Sequence, residues 1–234
     1  MQTEGSKFAW VHLYDPHTPW DATEGDPYRG DIAQADQNLK KLIAQTDEND
    51  LIILTSDHGE SLWEHGEREH GFLLHRSVTR VPLIIRPPKG RTGSADVEPR
   101  STSLDIQRPE GVDERLILDP VPDAPNAAWV VDDVVRLIDI APTIADYAEV
   151  DFQSAGVSLR PFVEGRDQKP LVAYAETLFP HYQLGWSPLS MVQDSERRIE
   201  KGVKPFASLW KTGKKTLPTT ALLQELEGHF GNDI

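Results

Sequence analysis

Asp50 to Gly71 reads D-L-I-I-L-T-S-D-H-G-E-S-L-W-E-H-G-E-R-E-H-G, and this stretch decides the fold. The apolar run from Leu51 has the pattern of a strand buried on both faces. It stops abruptly at an Asp-His pair, a glycine and a loop with two more histidines. In open α/β sheets ligands sit beyond the carboxyl ends of the strands, so Asp57 and His58 are delivered to the place where chemistry is done. Gly59 lets the backbone turn sharply behind them. An Asp here can serve merely as the N-cap of a following helix, and a lone His can be a satisfied polar side chain. Four of the eight histidines, however, fall between His58 and His75, and capping does not explain such a cluster. The stretch reads as a metal or anion site.

On either side the pattern alternates strand and helix. Phe8 to Tyr14 (F-A-W-V-H-L-Y) predicts a buried strand, ended by the prolines of D-P-H-T-P. Asp31 to Gln45 sets Ile32, Ala35, Leu39, Leu42 and Ile43 at helical spacing. Leu51 to Ser56 and Val81 to Arg86 predict two further strands, the second stopped by Pro87 and Pro88. Strand, loop, helix, strand is a βαβ unit, which implies a parallel sheet covered by helices. From Pro87 to about Ala128 the composition turns to Pro, Asp, Glu, Ser and Arg, too long for an ordinary connection and expected to be an excursion loop. Beyond it the sequence predicts a strand over Val130 to Ile138 and a helix from about Pro142 to Ala148. A strand over Pro170 to Glu176, a turn and strand within Gln183 to Val192 and an amphipathic helix over Leu217 to Phe230 follow. Arg80 and Arg86, flanking a strand, are expected to make ion pairs. Glu60 and Glu64 can be read as a carboxylate pair for acid-base work, but are expected rather to cap or solvate their loop.

Composition narrows the function classes. A formal charge of -14 argues against a nucleic-acid partner, because neutralising a phosphate backbone needs clustered Lys and Arg. An anionic substrate can still be held by a local cluster of metal, His and Arg within an acidic protein. No cysteine is present, which excludes disulfides, thiolate-bound zinc and a cysteine nucleophile. No run approaches the length of a membrane span, and no basic segment followed by an apolar one opens the chain, so neither a membrane segment nor a signal is expected here.

Several motifs now stand in order. H-L-Y-D-P-H-T-P-W (His12 to Trp20) resembles the H-x-x-D-P-H-x-P-Y segment of sulfatases of the alkaline phosphatase superfamily. T-S-D-H-G-E (Thr55 to Glu60), with E-H-G at Glu64, H-G-F at His70 and R-V-P-L-I-I-R at Arg80, resembles their second metal-ligand motif and its downstream strand. V-R-L-I-D-I-A-P-T-I (Val135 to Ile144) and G-V-S-L-R-P (Gly156 to Pro161) are similar to the family's V-D-x-x-P-T and G-x-S-L elements, and A-Y-A-E-T and G-W-S-P-L to a bacterial subgroup. Each motif alone is weak, and their shared order is specific.

The resemblance implies an alkaline phosphatase-like α/β sandwich with a mostly parallel central sheet flanked by helices, incomplete at the N-terminus. Residues 1–150 would be the C-terminal part of the catalytic domain, with its long loop at about 88–128. Residues 151–234 would be a C-terminal subdomain of short strands and a terminal helix. One divalent metal ion is implied, with Asp57 and His58 on the positions of two ligands. Calcium, zinc and manganese are all candidates, and a nitrogen from His58 tilts the choice toward zinc or manganese. His17 and His70 map onto residues that contact the transferring group and help the leaving group depart, work suited to an imidazole. His12 and His65 are candidates for positions behind these, with a purely structural role as the equal alternative. The family's nucleophile, a formylglycine from Cys or Ser in a C/S-x-P-x-R context, or a Ser or Thr in phosphoryl-transferring relatives, matches no residue of this chain.

The activity implied is sulfuric ester hydrolysis on a sulfated small molecule or glycan, with the nucleophile supplied from elsewhere. The alternatives are phosphoryl transfer, as in phosphoethanolamine transferases or phosphate and phosphonate ester hydrolases, and a non-catalytic remnant. Members of the family are periplasmic, extracellular or cytoplasmic. Specificity is expected from the loop Pro88 to Ala128 and from Leu178 to Ser187, where Trp186 reads first as core packing and second as a stacking surface.

Overall fold

The computed structural model describes residues 7–21, 25–63, 68–90, 131–195, 197–202, 206–211 and 214–216. Helix α1 spans Pro27–Ile43 and starts four residues before the predicted Asp31, because Asp26 caps it from Oδ1 to the Arg29 N–H at 3.4 Å and Pro27 suits its first turn. Lys40 and Lys41 sit in its last turn, where positive charge faces the dipole favourably. The chain then turns into β1 (Ile52–Thr55), which pairs with β4 (Leu83–Arg86) in register Ile52 to Arg86 and Thr55 to Leu83. This ladder is antiparallel, and every ladder among the described residues is antiparallel.

The expected parallel pairing of Phe8–Tyr14 with β1 is not formed. Phe8–Tyr14 is in no ladder, and Phe8, Val11 and Trp10, the last 82% exposed, face solvent. The β1 side chains are half-buried rather than buried on both faces. Among the described residues Arg86 makes no ion pair of the expected kind. It donates to Thr46 Oγ1 at 2.9 Å and to the Asp47 carbonyl at 2.8 Å, and so ties the α1–β1 turn to β4.

Between the two strands lies the segment that matters for the site. A short hairpin pairs β2 (Ser61–Leu62) with β3 (Arg68–Glu69), and α2 (Arg76–Thr79) follows. The turn of this hairpin, which contains Glu64 and His65, lies outside the described residues, as do most of the expected excursion loop and the Leu217–Phe230 helix.

Of the strand expected over Val130–Ile138, the described residues 131–138 form none. Residues 131–136 are irregular and lead into a 3₁₀ turn, Leu137–Asp139, which runs directly into α3 (Ile140–Ala148). The cause is Asp139, whose fully buried carboxylate takes the Arg136 backbone N–H at 3.0 Å and its guanidinium at 2.9 and 2.7 Å. A side chain that satisfies its own local backbone competes with a strand ladder and wins here. Asp139 Oδ1 also accepts the Val157 N–H at 2.9 Å, and Thr143 Oγ1 accepts that of Leu159 at 2.8 Å. Gly156 passes so close that a Cβ there would lie 2.1 Å from the Ile138 carbonyl oxygen. The Val135–Ile144 and Gly156–Pro161 motifs are therefore two halves of one packing lock.

Helix α4 (Arg160–Val163) leads to β5 (Ala173–Thr177), α5 (Phe179–Leu184) and β6 (Leu189–Gln193). Strands β7 (Arg197–Gly202), β8 (Phe206–Lys211) and β9 (Lys214–Thr216) complete a five-stranded antiparallel meander. Met191 and Val192 of β6 are buried, as are Leu74 and Val78 beside the site and Tyr147 and Leu159 at the lock. Arg198 donates to Thr79 Oγ1 at 3.1 Å, and the Thr177 hydroxyl donates to the Gly71 carbonyl, which fastens the meander to the loop carrying His70. No helix among the described residues is long and apolar enough to cross a membrane.

Candidate active site

Strand β1 is followed at once by Ser56, whose hydroxyl donates to the His58 carbonyl at 2.6 Å and closes the turn that presents Asp57 and His58. Gly59 then runs against α2: its N–H donates to the Val78 carbonyl at 2.8 Å, and a Cβ would meet the Ser77 carbonyl oxygen at 2.0 Å. Only glycine fits that approach. Asp57 and His58 thus leave the backbone before this contact and Glu60 leaves after it.

Three imidazoles converge at the exit of β1. The His58 and His70 rings lie 3.9 Å apart between centroids, and His17 meets His70 edge-on at 5.5 Å. The β2–β3 hairpin, Ser61 opposite Glu69, returns the chain so that His70 comes alongside His58. His17 is held in a turn by its own N–H on the Tyr14 carbonyl at 3.1 Å and is stacked on Tyr14 at 4.6 Å. The Trp20 indole closes the same loop onto the Pro16 carbonyl at 3.2 Å, and the Asp21 N–H reaches Asp31 of α1 at 2.9 Å. His12 packs edge-on to Tyr14 at 5.8 Å. Three of the four predicted catalytic and metal residues thus meet ring to ring, and the fourth, Asp57, adjoins His58. His65 lies outside the described residues.

The ring nitrogens carry information. His58 Nδ1 sits 2.8 Å from the Gly59 carbonyl and His17 Nδ1 2.5 Å from that of Thr18. A carbonyl can only accept, so Nδ1 donates in both, and in the neutral ring Nε2 is the nitrogen with the free lone pair. His58 Nε2 lies 3.8 Å from Asp57 Oδ2. Partial burial pushes the Asp57 carboxyl up, but attraction to the His58 ring in its protonated form, the N–H groups of Asp57 and His58, and attraction to a protonated His12 outweigh it and hold the group below its usual value. An ionised oxygen beside a bare imidazole nitrogen suits two ligands of one divalent ion. Among the described residues no third His, Asp or Glu joins them to make a complete metal site.

Glu60 was the residue sequence reasoning missed. It neither caps nor solvates the loop. Its side chain is 6% exposed and Oε1 lies 3.1 Å from His70 Nδ1. No local signal marks it, since only the hairpin brings position 60 to position 70. Trp186, read first as core packing, is 52% exposed.

Residues 1–150 match the sulfatase family model. The chain belongs to the sulfatase family. The protein is 26% identical over 162 residues to an N-acetylglucosamine-6-O-sulfatase of Bacteroides thetaiotaomicron, an alignment covering 66% of this chain and 23% of that enzyme. A solved 2-O GAG sulfatase superimposes with a TM-score of 0.57 at 16% identity, covering 87% of this chain and 40% of the other. A phosphonate monoester hydrolase of Silicibacter pomeroyi does so with a TM-score of 0.54 at 17% identity, covering 87% and 38%. These likenesses make the fold alkaline phosphatase-like α/β. The chain spans less than half the length of each of the three.

Proposed function

We propose that these residues form the C-terminal part of the catalytic unit of a metal-dependent sulfuric ester hydrolase. The observation that carries the reading is the convergence of His17, His58 and His70 beside Asp57 at the exit of β1. Asp57 and His58 would hold one divalent ion, and a nitrogen ligand favours zinc or manganese over calcium. Bound there, the ion supplies charge that polarises the ester oxygens. His17, with Nδ1 committed to the Thr18 carbonyl, directs Nε2 toward an anionic group held in the cluster. His70 serves the leaving oxygen, giving or taking its proton. His12 supports the site through its charge on Asp57.

A sulfated small molecule or glycan is the substrate class. In support, α5 packs beside the site through Phe179, which meets Phe72 edge-on at 4.7 Å, and then leaves Tyr182 75% exposed and Trp186 open beside it. Exposed rings of this kind suit the apolar face of a sugar. Residues 1–150 would carry the chemistry and residues 151–234 would form the supporting subdomain.

Phosphoryl or phosphonyl ester chemistry is the second reading, favoured by the likeness to the phosphonate monoester hydrolase and by the Asp-His pair. Translation of the source DNA upstream of Met1 separates the readings. An Asp-Asp pair followed by C/S-x-P-x-R is expected. A Thr in that place moves the assignment to phosphoryl transfer, and an in-frame stop close to Met1 makes the chain a remnant.

A further inference from the structure

Glu60 has no part in the chemistry proposed above, yet it is the most deeply buried carboxylate beside the three imidazoles. Burying a carboxyl group is costly unless a hydrogen bond compensates, and the partner here is His70 Nδ1 at 3.1 Å. Both partners are set by backbone. Gly59, pressed on the Ser77 and Val78 carbonyls, fixes where Glu60 begins, and the Ser61–Glu69 pairing fixes where His70 begins. His17 and His58 anchor their Nδ1 atoms on main-chain carbonyls, whereas His70 alone of the three anchors on a carboxylate.

We infer that Glu60 is a positioning residue that accepts the Nδ1 proton of His70, fixes that tautomer and leaves Nε2 as the ring nitrogen that exchanges protons with a bound ester. The inference rests on the reading of His70 as the imidazole that serves the leaving oxygen. Nδ1 and Nε2 lie on different sides of the ring, so a nitrogen held toward Glu60 turns the other away from it.

Long-range nitrogen-proton NMR of the imidazoles tests this on the 234-residue chain without substrate, at a pH where histidine is neutral. For His70 the pyrrole-type nitrogen is expected at Nδ1 and the pyridine-type nitrogen at Nε2. In Glu60→Ala the pyrrole-type signal moves to Nε2, the form a solvated imidazole prefers. In Glu60→Gln, whose amide oxygen still accepts, it stays at Nδ1. His181, whose Nδ1 lies 3.0 Å from the Trp186 carbonyl, reports whether each variant is folded. A pyrrole-type Nε2 in the unmodified chain overturns the inference, and so does a folded Glu60→Ala with an unchanged His70 pattern. Should Glu60→Ala fail to fold, the unmodified chain and Glu60→Gln decide alone. The readout needs no turnover, so it fails or succeeds separately from sulfuric ester hydrolysis.

Discussion

Gly59 separates two functions over four consecutive residues. Asp57 and His58 face the cluster on one side of its contact with α2, and Glu60 enters the interior on the other. A methyl group at position 59 must displace main chain at Ser77 rather than a pliable side chain, so Gly59→Ala is expected to lower stability by at least about 1–3 kcal/mol, the range for overpacking. Denaturant unfolding measures that loss, and a variant as stable as the parent would contradict the close approach. At the chemical step, His70→Ala in an enzyme that turns over aryl sulfate is expected to lower kcat about 10²- to 10⁴-fold, the usual share of general acid-base catalysis. A change confined to KM would instead make His70 a binding residue. The gathering of Asp57, His58, His17 and His70 in one place was legible because each stands in a motif at a strand end or a proline turn. Glu60 was not, because its partner is ten residues away and joined to it by pairing that no sequence period announces.

Among the elements, the lock around Asp139 has the clearest energetics. Its carboxylate is fully buried and serves the Arg136 guanidinium and two backbone N–H groups. The hydrogen bond to Asp139 raises the Arg136 pKa despite burial. Removing one member of such a pair strands the other, and Asp139→Ala is expected to cost about 3–5 kcal/mol in thermal or denaturant unfolding. The family motif was legible here, whereas the strand expected over Val130–Ile138 was not formed, since apolar periodicity does not register a carboxylate that hydrogen-bonds three residues back. Helix α4 carries a pH-dependent term. Burial pushes Glu164 up, but hydrogen bonds from Arg160 and Arg166 and their charges prevail and lower its pKa from 4.5. A carboxylate with a depressed folded value contributes stability that is present above about pH 4.5 and is lost as pH falls through the folded value. Glu164→Gln is therefore expected to flatten the acid side of the stability profile, and an unaltered acid limb in melting curves would remove this ion pair from the account.

Across the whole molecule, apolar sequence and burial do not coincide. Phe8, Trp10 and Val11 read as a buried strand but stand exposed, and Ile84 of β4 is exposed too. An apolar run marks residue type and supplies no partner surface, and Phe8–Tyr14 enters no ladder among the described residues. The metal site has the same character. Asp57, 75% exposed, and His58 offer two donors, and no third converges on them among the described residues. Two donors leave most of a divalent ion's coordination to water, whereas sites that hold zinc firmly close around it with three or four protein ligands. With Asp57 and His58 as the two ligands proposed above, the isolated 234-residue chain is expected to bind zinc, manganese or calcium only weakly, with no tight saturating isotherm in calorimetric titration, and to hydrolyse an aryl sulfate no faster than background. Vigorous hydrolysis by the purified chain, abolished by Asp57→Ala, would mean that the site closes within these residues after all and that the nucleophile belongs to this chain.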